Sequence, residues 1–234
     1  MNRPTFANNE IYHVYNRGTD KRKIFLNDGD YFRFVHNLFE FNDVSPALNI
    51  YYKKQSYEVG LRKIKNENKP RKLLVKILAF CLMPNHFHLL LEQIKDNGIT
   101  EFMRKLGTGY TNYFNKKHER SGVLFQGKFK AILLENDKHL LHLPYYIHLN
   151  SLDLIFPEWR NRELKNYKKA VDFLENYRWS SHMDYINKKN FPSVTQRDFL
   201  IKFFGGQNEY KKSLNQWLRE LNMEDIRDVV IENL

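Results

Sequence analysis

Hydrophobic residues in the first half of the chain recur at the spacing of strands and then of helices. Residues 10–17 mix β-branched and aromatic side chains in near alternation, which predicts a first strand. The apolar residues at positions 31–39 are at helical spacing and predict a helix. Asp28 to Asp30, just before them, can cap it. The apolar run from Leu73 to Met83, the turn former Pro84-Asn85 and the run 86–92 predict a hairpin.

The same two spacings continue beyond this hairpin. Thr100 can cap a helix that reaches about Lys117, with its apolar residues on one face. Residues 124–134 predict another strand, with Gly127 at a bulge. Asn136 or Asp137 then caps a further helix.

This order of elements predicts a two-layer α+β domain with an antiparallel sheet and helices on one face. The ferredoxin-like split βαβ plan, shared with RNA-recognition modules, fits best. We assign residues 1–190 to this domain and residues 191–234 to a C-terminal helical extension. We interpret the highly charged stretch 48–72 as an insertion within this domain.

Composition narrows the class of protein further. The 234 residues include 42% hydrophobic residues, enough for one well-buried core, and carry a formal net charge of +11. A basic surface favours polyanions, of which nucleic acid is the commonest, and the excess charge falls within the first 130 residues. A single cysteine, no apparent leader and no apolar run approaching ~20 residues indicate a cytoplasmic protein without a membrane partner.

Two histidines near the predicted hairpin turn are candidate metal ligands. His86 and His88 are separated by Phe87, so on a strand both imidazoles point to one face and Phe87 to the other. Two imidazoles side by side can bind a divalent metal. The pair alone is equally consistent with incidental histidines on a solvated strand face.

The helix after the last predicted strand supplies candidates for the rest of the site. Tyr146 and Asn150 are four residues apart and therefore lie on one helix face. An amide oxygen is a suitable third ligand for a hard cation, and a tyrosine one turn away could act as a nucleophile. Tyr146 could also be an ordinary packing tyrosine, and Pro144 could kink the helix or start a new one.

Four segments occur in an order and at a spacing that carry a family resemblance. They are Tyr12-His-Val-Tyr-Asn-Arg-Gly18, Met83-Pro-Asn-His-Phe-His-Leu-Leu-Leu91, Gly122-Val-Leu-Phe-Gln-Gly-Lys-Phe-Lys130 and Tyr146-Ile-His-Leu-Asn150. Together they resemble the single-tyrosine HUH transposases, and most closely the REP-associated tyrosine transposases. In this family proline commonly follows the asparagine, whereas Ser151 does here.

The resemblance implies an enzyme, with residues 1–190 as its catalytic domain. By matching position, His86, His88 and Asn150 would bind Mg²⁺ or Mn²⁺, and Tyr146 would be the nucleophile. Such enzymes cut single-stranded DNA at or beside a hairpin and form a 5′-phosphotyrosine. Monomeric and homodimeric arrangements both remain open. We expect basic side chains to hold the DNA backbone, namely Arg17, Lys116, Lys117, Arg120, Lys128 and Lys130.

Two other functions stay open at this point. A domesticated relative could keep the fold and bind nucleic acid without catalysis. A zinc hydrolase using His86, His88 and Cys81 is the weaker alternative, since nothing else in the sequence completes a zinc site.

Overall fold

A four-stranded antiparallel sheet forms the centre of the computed structural model, which describes residues 4–46, 71–220 and 227–228. Its strands are β1 (Ile11–Arg17), β2 (Val75–Met83), β3 (His86–Gln93) and β4 (Lys130–Leu133), in the order β2-β3-β1-β4. Helices α1 (Asp28–Glu40) and α2 (Gly98–Lys117) connect them in the split βαβ plan. The ferredoxin-like α+β prediction is therefore confirmed, while most of the predicted insertion lies outside the described residues.

Strand register divides the sheet into two chemically different faces. Tyr15 pairs with His88 and Arg17 with His86, so these side chains share one face, called here the histidine face. Phe87 points to the opposite face, where its ring lies 5.1 Å from that of Phe34 on α1. Helices α1 and α2 cover this apolar face and leave the histidine face to later elements.

Helix α3 (Asp137–Leu149) packs on the histidine face. It begins at Asn136, whose side chain accepts a hydrogen bond from the His139 backbone N–H at 2.9 Å, as the capping prediction requires. The helix continues through Pro144 without starting anew. The helices that the sequence placed on one face of the sheet are α1 and α2, and α3 adds a layer on the other.

The last strand is shorter than predicted. Only Lys130–Leu133 pairs along β1, and residues 124–129 are irregular apart from one bridge between Phe125 and Gly18. Gly127 has a φ of 67°, so it lies in this loop and is not a bulge within a regular strand. The left-handed turn ends the extended pairing, a feature that hydrophobic periodicity does not reveal.

Beyond α3 the chain forms further helices, and residues 179–181 between two of them pair with the edge strand β2. These further helices are the 3-10 helices Asn150–Leu154 and Pro157–Asn161, then α4 (Tyr167–Asn176), α5 (His182–Tyr185), α6 (Asp198–Phe203) and α7 (Gln207–Glu220); an earlier 3-10 turn spans Thr19–Lys21. Ser181 N donates to Phe80 O at 3.0 Å and Leu82 N donates to Trp179 O at 2.9 Å, so this segment occupies the edge.

In the described part of residues 191–234, where a C-terminal helical extension is predicted, the chain forms two helices. Gly205 and Gly206 have φ values of 78° and 111° and separate α6 from α7. Tyr210 and Leu214 on α7 are buried. Across the described ranges, no helix has the length and apolar character needed to cross a membrane.

Candidate active site

His86 and His88 lie side by side on β3, as the two-residue spacing predicts. Their ring centres are 5.0 Å apart and their planes are nearly perpendicular, at 88°. His86 is 7% exposed and His88 is fully buried. The pair therefore does not lie on a solvated strand face but is buried between the sheet and α3, in a region called here the cleft.

A neighbouring side chain fixes the orientation of each imidazole. His86 Nδ1 lies 2.8 Å from the Asn85 amide oxygen, which can only accept a hydrogen bond. Nδ1 therefore carries the proton of neutral His86, and Nε2 keeps a lone pair. His88 Nδ1 lies 2.9 Å from Nε2 of His13, and Nε2 of His88 is buried with no hydrogen-bond partner. Such support of a ligand's second nitrogen is typical of metal-binding histidines.

The electrostatic surroundings keep both imidazoles neutral. Burial lowers the pKa of His86 to about 4; Asp153 opposes this shift, and Arg160 and Arg17 add to it. Burial, with repulsion from His86, lowers the pKa of His88 well below its usual range. A neutral imidazole has the lone pair that a metal requires, so no proton need be displaced at neutral pH.

Tyr146 on α3 faces the same cleft. Its ring centre lies 6.0 Å from that of His88 and 6.4 Å from that of His13. The side chain is fully buried, and its hydroxyl makes no hydrogen bond of ordinary geometry. Burial raises the pKa of this phenol, against the opposing effect of the nearby Arg160 guanidinium. Pro144 therefore does not turn Tyr146 away from the histidines.

A second tyrosine borders the nucleophile candidate. Tyr15 on β1 is buried, its ring centre is 6.3 Å from that of His88, and its hydroxyl has no hydrogen-bond partner. Burial and the proximity of Tyr146 raise the pKa of Tyr15 to about 12. The cleft thus contains two phenols, of which Tyr146 alone is on the helix that also carries Asn150.

Asn150 is held at the end of α3 by two hydrogen bonds. Its Nδ2 donates to the Tyr146 carbonyl oxygen at 2.7 Å, and its Oδ1 accepts from Arg160 Nη2 at 2.8 Å. Arg160 also binds Asp153 through two hydrogen bonds of 2.7 and 2.9 Å. Asn150 Oδ1, the proposed third metal ligand, therefore already accepts a hydrogen bond from the Arg160 guanidinium. Its second lone pair is the one available for a metal.

These donors suit a divalent cation in part. The orphaned, buried Nε2 of His88 and the free lone pair of His86 are ligand atoms without other partners. Among the residues described, no group of three or more His, Cys, Asp or Glu side chains could hold a metal. Cys81 pairs in register with His88, but burial raises the pKa of its thiol, so the zinc alternative gains no support.

Two of the predicted DNA-binding residues lie near the histidines, and the other four lie on or after α2. Arg17 and Lys130 lie on the histidine face, and Lys130 Nζ is 6.0 Å from the centre of the Tyr15 ring. Lys117 instead forms a 2.7 Å ion pair with Asp30. The remaining three lie on or after α2: Lys116 in its last turn, Arg120 bonded to Asn115 Oδ1 at 2.6 Å, and Lys128 exposed in the loop before β4.

Sequence reasoning did not identify four of the residues that line the cleft. His13 and Tyr15 alternate with Arg17 along β1, so strand periodicity would have placed them on one face. Asp153 and Arg160 lie in the two short 3-10 helices after α3, which are too short to give a periodic signal. The structure thus adds the ion pair between Asp153 and Arg160 to the site residues that the sequence predicted.

The fold and the cleft define a ferredoxin-like protein with a paired-histidine and tyrosine site on one sheet face. The family model described as "Transposase IS200 like" matches residues 34–150, which is half of the chain. The chain belongs to this transposase family, as the sequence motifs predicted. No protein with a curated description matches it.

Solved structures also match the chain. One is described as the "Structure of the REP associates tyrosine transposase bound to a REP hairpin". It is 14% identical over 83% of this chain and 89% of its own, with a TM-score of 0.48. The family assignment therefore depends on the family model and not on this structural likeness.

Proposed function

We propose that this protein is a metal-dependent single-stranded DNA endonuclease and strand transferase that cleaves beside hairpin DNA through Tyr146. One observation carries the proposal: Tyr146 is buried on α3 with its ring centre 6.0 Å from that of His88, whose buried Nε2 has no hydrogen-bond partner. Membership of a transposase family supports a DNA substrate.

The chemistry follows from these groups. The Tyr146 oxygen forms a bond to phosphorus, the bond from phosphorus to the 3′ oxygen breaks, and a 5′-phosphotyrosine results. The phenol proton leaves to water, and the 3′ oxygen takes a proton from water. Mg²⁺ or Mn²⁺, held by His86, His88 and Asn150, would polarise the phosphodiester and offset the charge on its oxygens. The reverse step, with another 3′ hydroxyl, rejoins the strand.

The raised pKa of Tyr146 and its burial set two requirements for this reaction. The phenol is protonated at neutral pH, so the cleft must assist proton loss as the bond forms. DNA must also reach a fully buried side chain. The rings of Tyr146 and Trp159 are 6.3 Å apart, so we propose that the chain around the 3-10 helix Pro157–Asn161 moves when DNA binds.

A covalent adduct is the decisive measurement. The protein is incubated with hairpin-bearing single-stranded oligonucleotides and Mg²⁺ or Mn²⁺, and adducts are detected on denaturing gels. We expect an adduct with the wild type and none with Tyr146→Phe. Tyr145→Phe is the matched control, because Tyr145 is equally buried but stacks towards Phe204 and Tyr210 of the C-terminal helices. An adduct with Tyr146→Phe would refute the assignment of the nucleophile.

The burial of Tyr146 is also the observation that favours the alternative, a nucleic-acid-binding protein without catalysis. The same experiment separates the two functions. Binding of hairpin DNA without an adduct, with either metal and with any oligonucleotide tried, would support the binding protein. His86→Ala distinguishes them further, since it should stop cleavage and leave most DNA affinity intact.

A further inference from the structure

Arg160 places a fixed positive charge beside the candidate nucleophile. Its Cζ lies 5.2 Å from the centre of the Tyr146 ring and 4.6 Å from that of Trp159. Asp153 accepts hydrogen bonds from both Nε and Nη2, at 2.9 and 2.7 Å. This two-point contact sets the plane of the guanidinium, since its donors form a rigid fork.

One edge of this guanidinium has no acceptor at ordinary hydrogen-bond geometry. Arg160 interacts with the Tyr146 hydroxyl, but its buried Nη1 makes no hydrogen bond of ordinary geometry, and Nε2 of His88 in the same cleft has no partner. A buried cationic N–H without an acceptor is costly to maintain and is frequent where a ligand is missing. The missing partner has the chemistry of an anionic oxygen next to the Tyr146 hydroxyl.

The charges around the cleft agree with an anionic ligand. Arg17 and Lys130 lie on the histidine face, and Arg160 faces Asp153 across their ion pair. Further along this face, Lys76 forms a 2.7 Å ion pair with Glu92. A phosphodiester would bring the negative charge that this arrangement lacks.

We infer that Arg160 is a catalytic residue of the proposed reaction, and that its Nη1 donates to a non-bridging oxygen of the scissile phosphate. This inference rests on the proposed function. The guanidinium stabilises the negative charge on that oxygen as the Tyr146 oxygen bonds to phosphorus. Asp153 is then a positioning residue, which holds the other two donors of Arg160 and aims Nη1 into the cleft.

The first test compares rates of adduct formation at saturating hairpin DNA and Mn²⁺. With Arg160→Gln we expect a loss on the order of 100-fold, the effect of removing one preorganised donor. Arg160→Lys keeps the charge opposite Asp153 but lacks the fork, so we expect a loss of at least about tenfold. Arg162→Gln, which removes an exposed arginine two positions away, should leave the rate unchanged. Circular dichroism checks that each variant is folded.

A second measurement separates contact with phosphate from a merely structural role. A methylphosphonate at the cleaved position has no negative charge for Arg160 to neutralise. The ratio of wild-type to Arg160→Gln rates should therefore fall from roughly 100 to below about 10 on this substrate. If Arg160 only held Asn150 or Trp159 in place, the ratio would be the same on both substrates. That result would overturn the inference.

The remaining outcomes are equally distinct. If the wild type forms no adduct, the proposed function fails and the inference fails with it. If it does, and Arg160→Gln reacts within about threefold of it, the inference alone fails. Tighter Mn²⁺ binding by Arg160→Gln in calorimetry, together with an unchanged rate, would mean that the guanidinium merely occupies the cation's position, and it too would overturn the inference.

Discussion

Removing one hydroxyl from α7 should measurably destabilise the helix that carries Tyr146. His148 on α3 lies 2.5 Å from Tyr210 Oη through Nδ1, and 2.6 Å from Ser181 Oγ through Nε2. Ser181 Oγ also lies 3.3 Å from Phe80 O. Tyr210 Oη and His148 Nδ1 share one hydrogen bond, whichever ring nitrogen of His148 carries the proton. All of these side chains are buried.

Tyr210→Phe removes that hydroxyl and leaves His148 Nδ1 buried without a partner. An unsatisfied buried polar group costs about 1–3 kcal/mol of the free energy of unfolding. For a chain of this size each kcal/mol lowers Tm by roughly 2–4 °C, so we expect a fall of roughly 2–12 °C. The loss of volume is one oxygen atom, so the cost comes from the broken hydrogen bond and not from a large cavity.

Urea and thermal unfolding followed by circular dichroism measure this cost. Tyr167→Phe serves as the control, because Tyr167 is only partly buried, and its effect should stay within about 0.5 kcal/mol. Ser181→Ala should cost more than Tyr210→Phe, since it also removes the acceptor of the Phe80 N–H, which donates to Ser181 Oγ at 2.9 Å. A change below about 0.5 kcal/mol for Tyr210→Phe would refute the conclusion that the hydrogen bond between Tyr210 and His148 stabilises this part of the protein.

Three further results are expected. Burial lowers the pKa of His182 to about 4 from 6.5, so the unfolded state binds the proton more readily. Its contribution of about 3 kcal/mol is therefore complete above pH 6.5 and is lost as the pH falls to 4, and His182→Gln should flatten this part of the stability profile. Gly98→Ala should destabilise the protein, because the new Cβ would lie 2.2 Å from the Leu74 carbonyl oxygen. In the same helix, the Cβ of Gly107→Ala meets nothing within 4 Å, so this variant should raise the free energy of unfolding by up to about 1 kcal/mol. Equal melting temperatures for the two variants would contradict this difference. His86→Ala should weaken Mn²⁺ binding by about 10-fold or more in calorimetry, and unchanged binding would exclude His86 as a ligand.

The central part of the site could be read from the sequence because its signals are local. The two-residue spacing of His86 and His88 fixes a shared strand face wherever the strand lies. The four-residue spacing of Tyr146 and Asn150 does the same on a helix. The alternation of strand and helix patterns similarly predicted the order of elements, and short connections leave few ways to assemble that order.

The spacing of hydrophobic residues along the chain could not predict where the pairing between strands ends. The strand expected over residues 124–134 is regular only over Lys130–Leu133, because the loop before it turns through a left-handed Gly127. The C-terminal apolar pattern divides at Gly205 and Gly206 for a similar reason. In both places the hydrophobic period continues while the backbone changes direction.

Tertiary structure alone decided the environment of the cleft. His13 supports His88 from 75 positions away, and the bonds from Arg160 to Asn150 and Asp153 join two 3-10 helices that are too short to show a period in the sequence. Sequence determined that two histidines, a tyrosine and an asparagine could meet. Burial decided that the histidines are neutral, that the tyrosine is protonated and enclosed, and that an arginine lies beside it, because these properties depend on which distant side chains exclude water from the cleft.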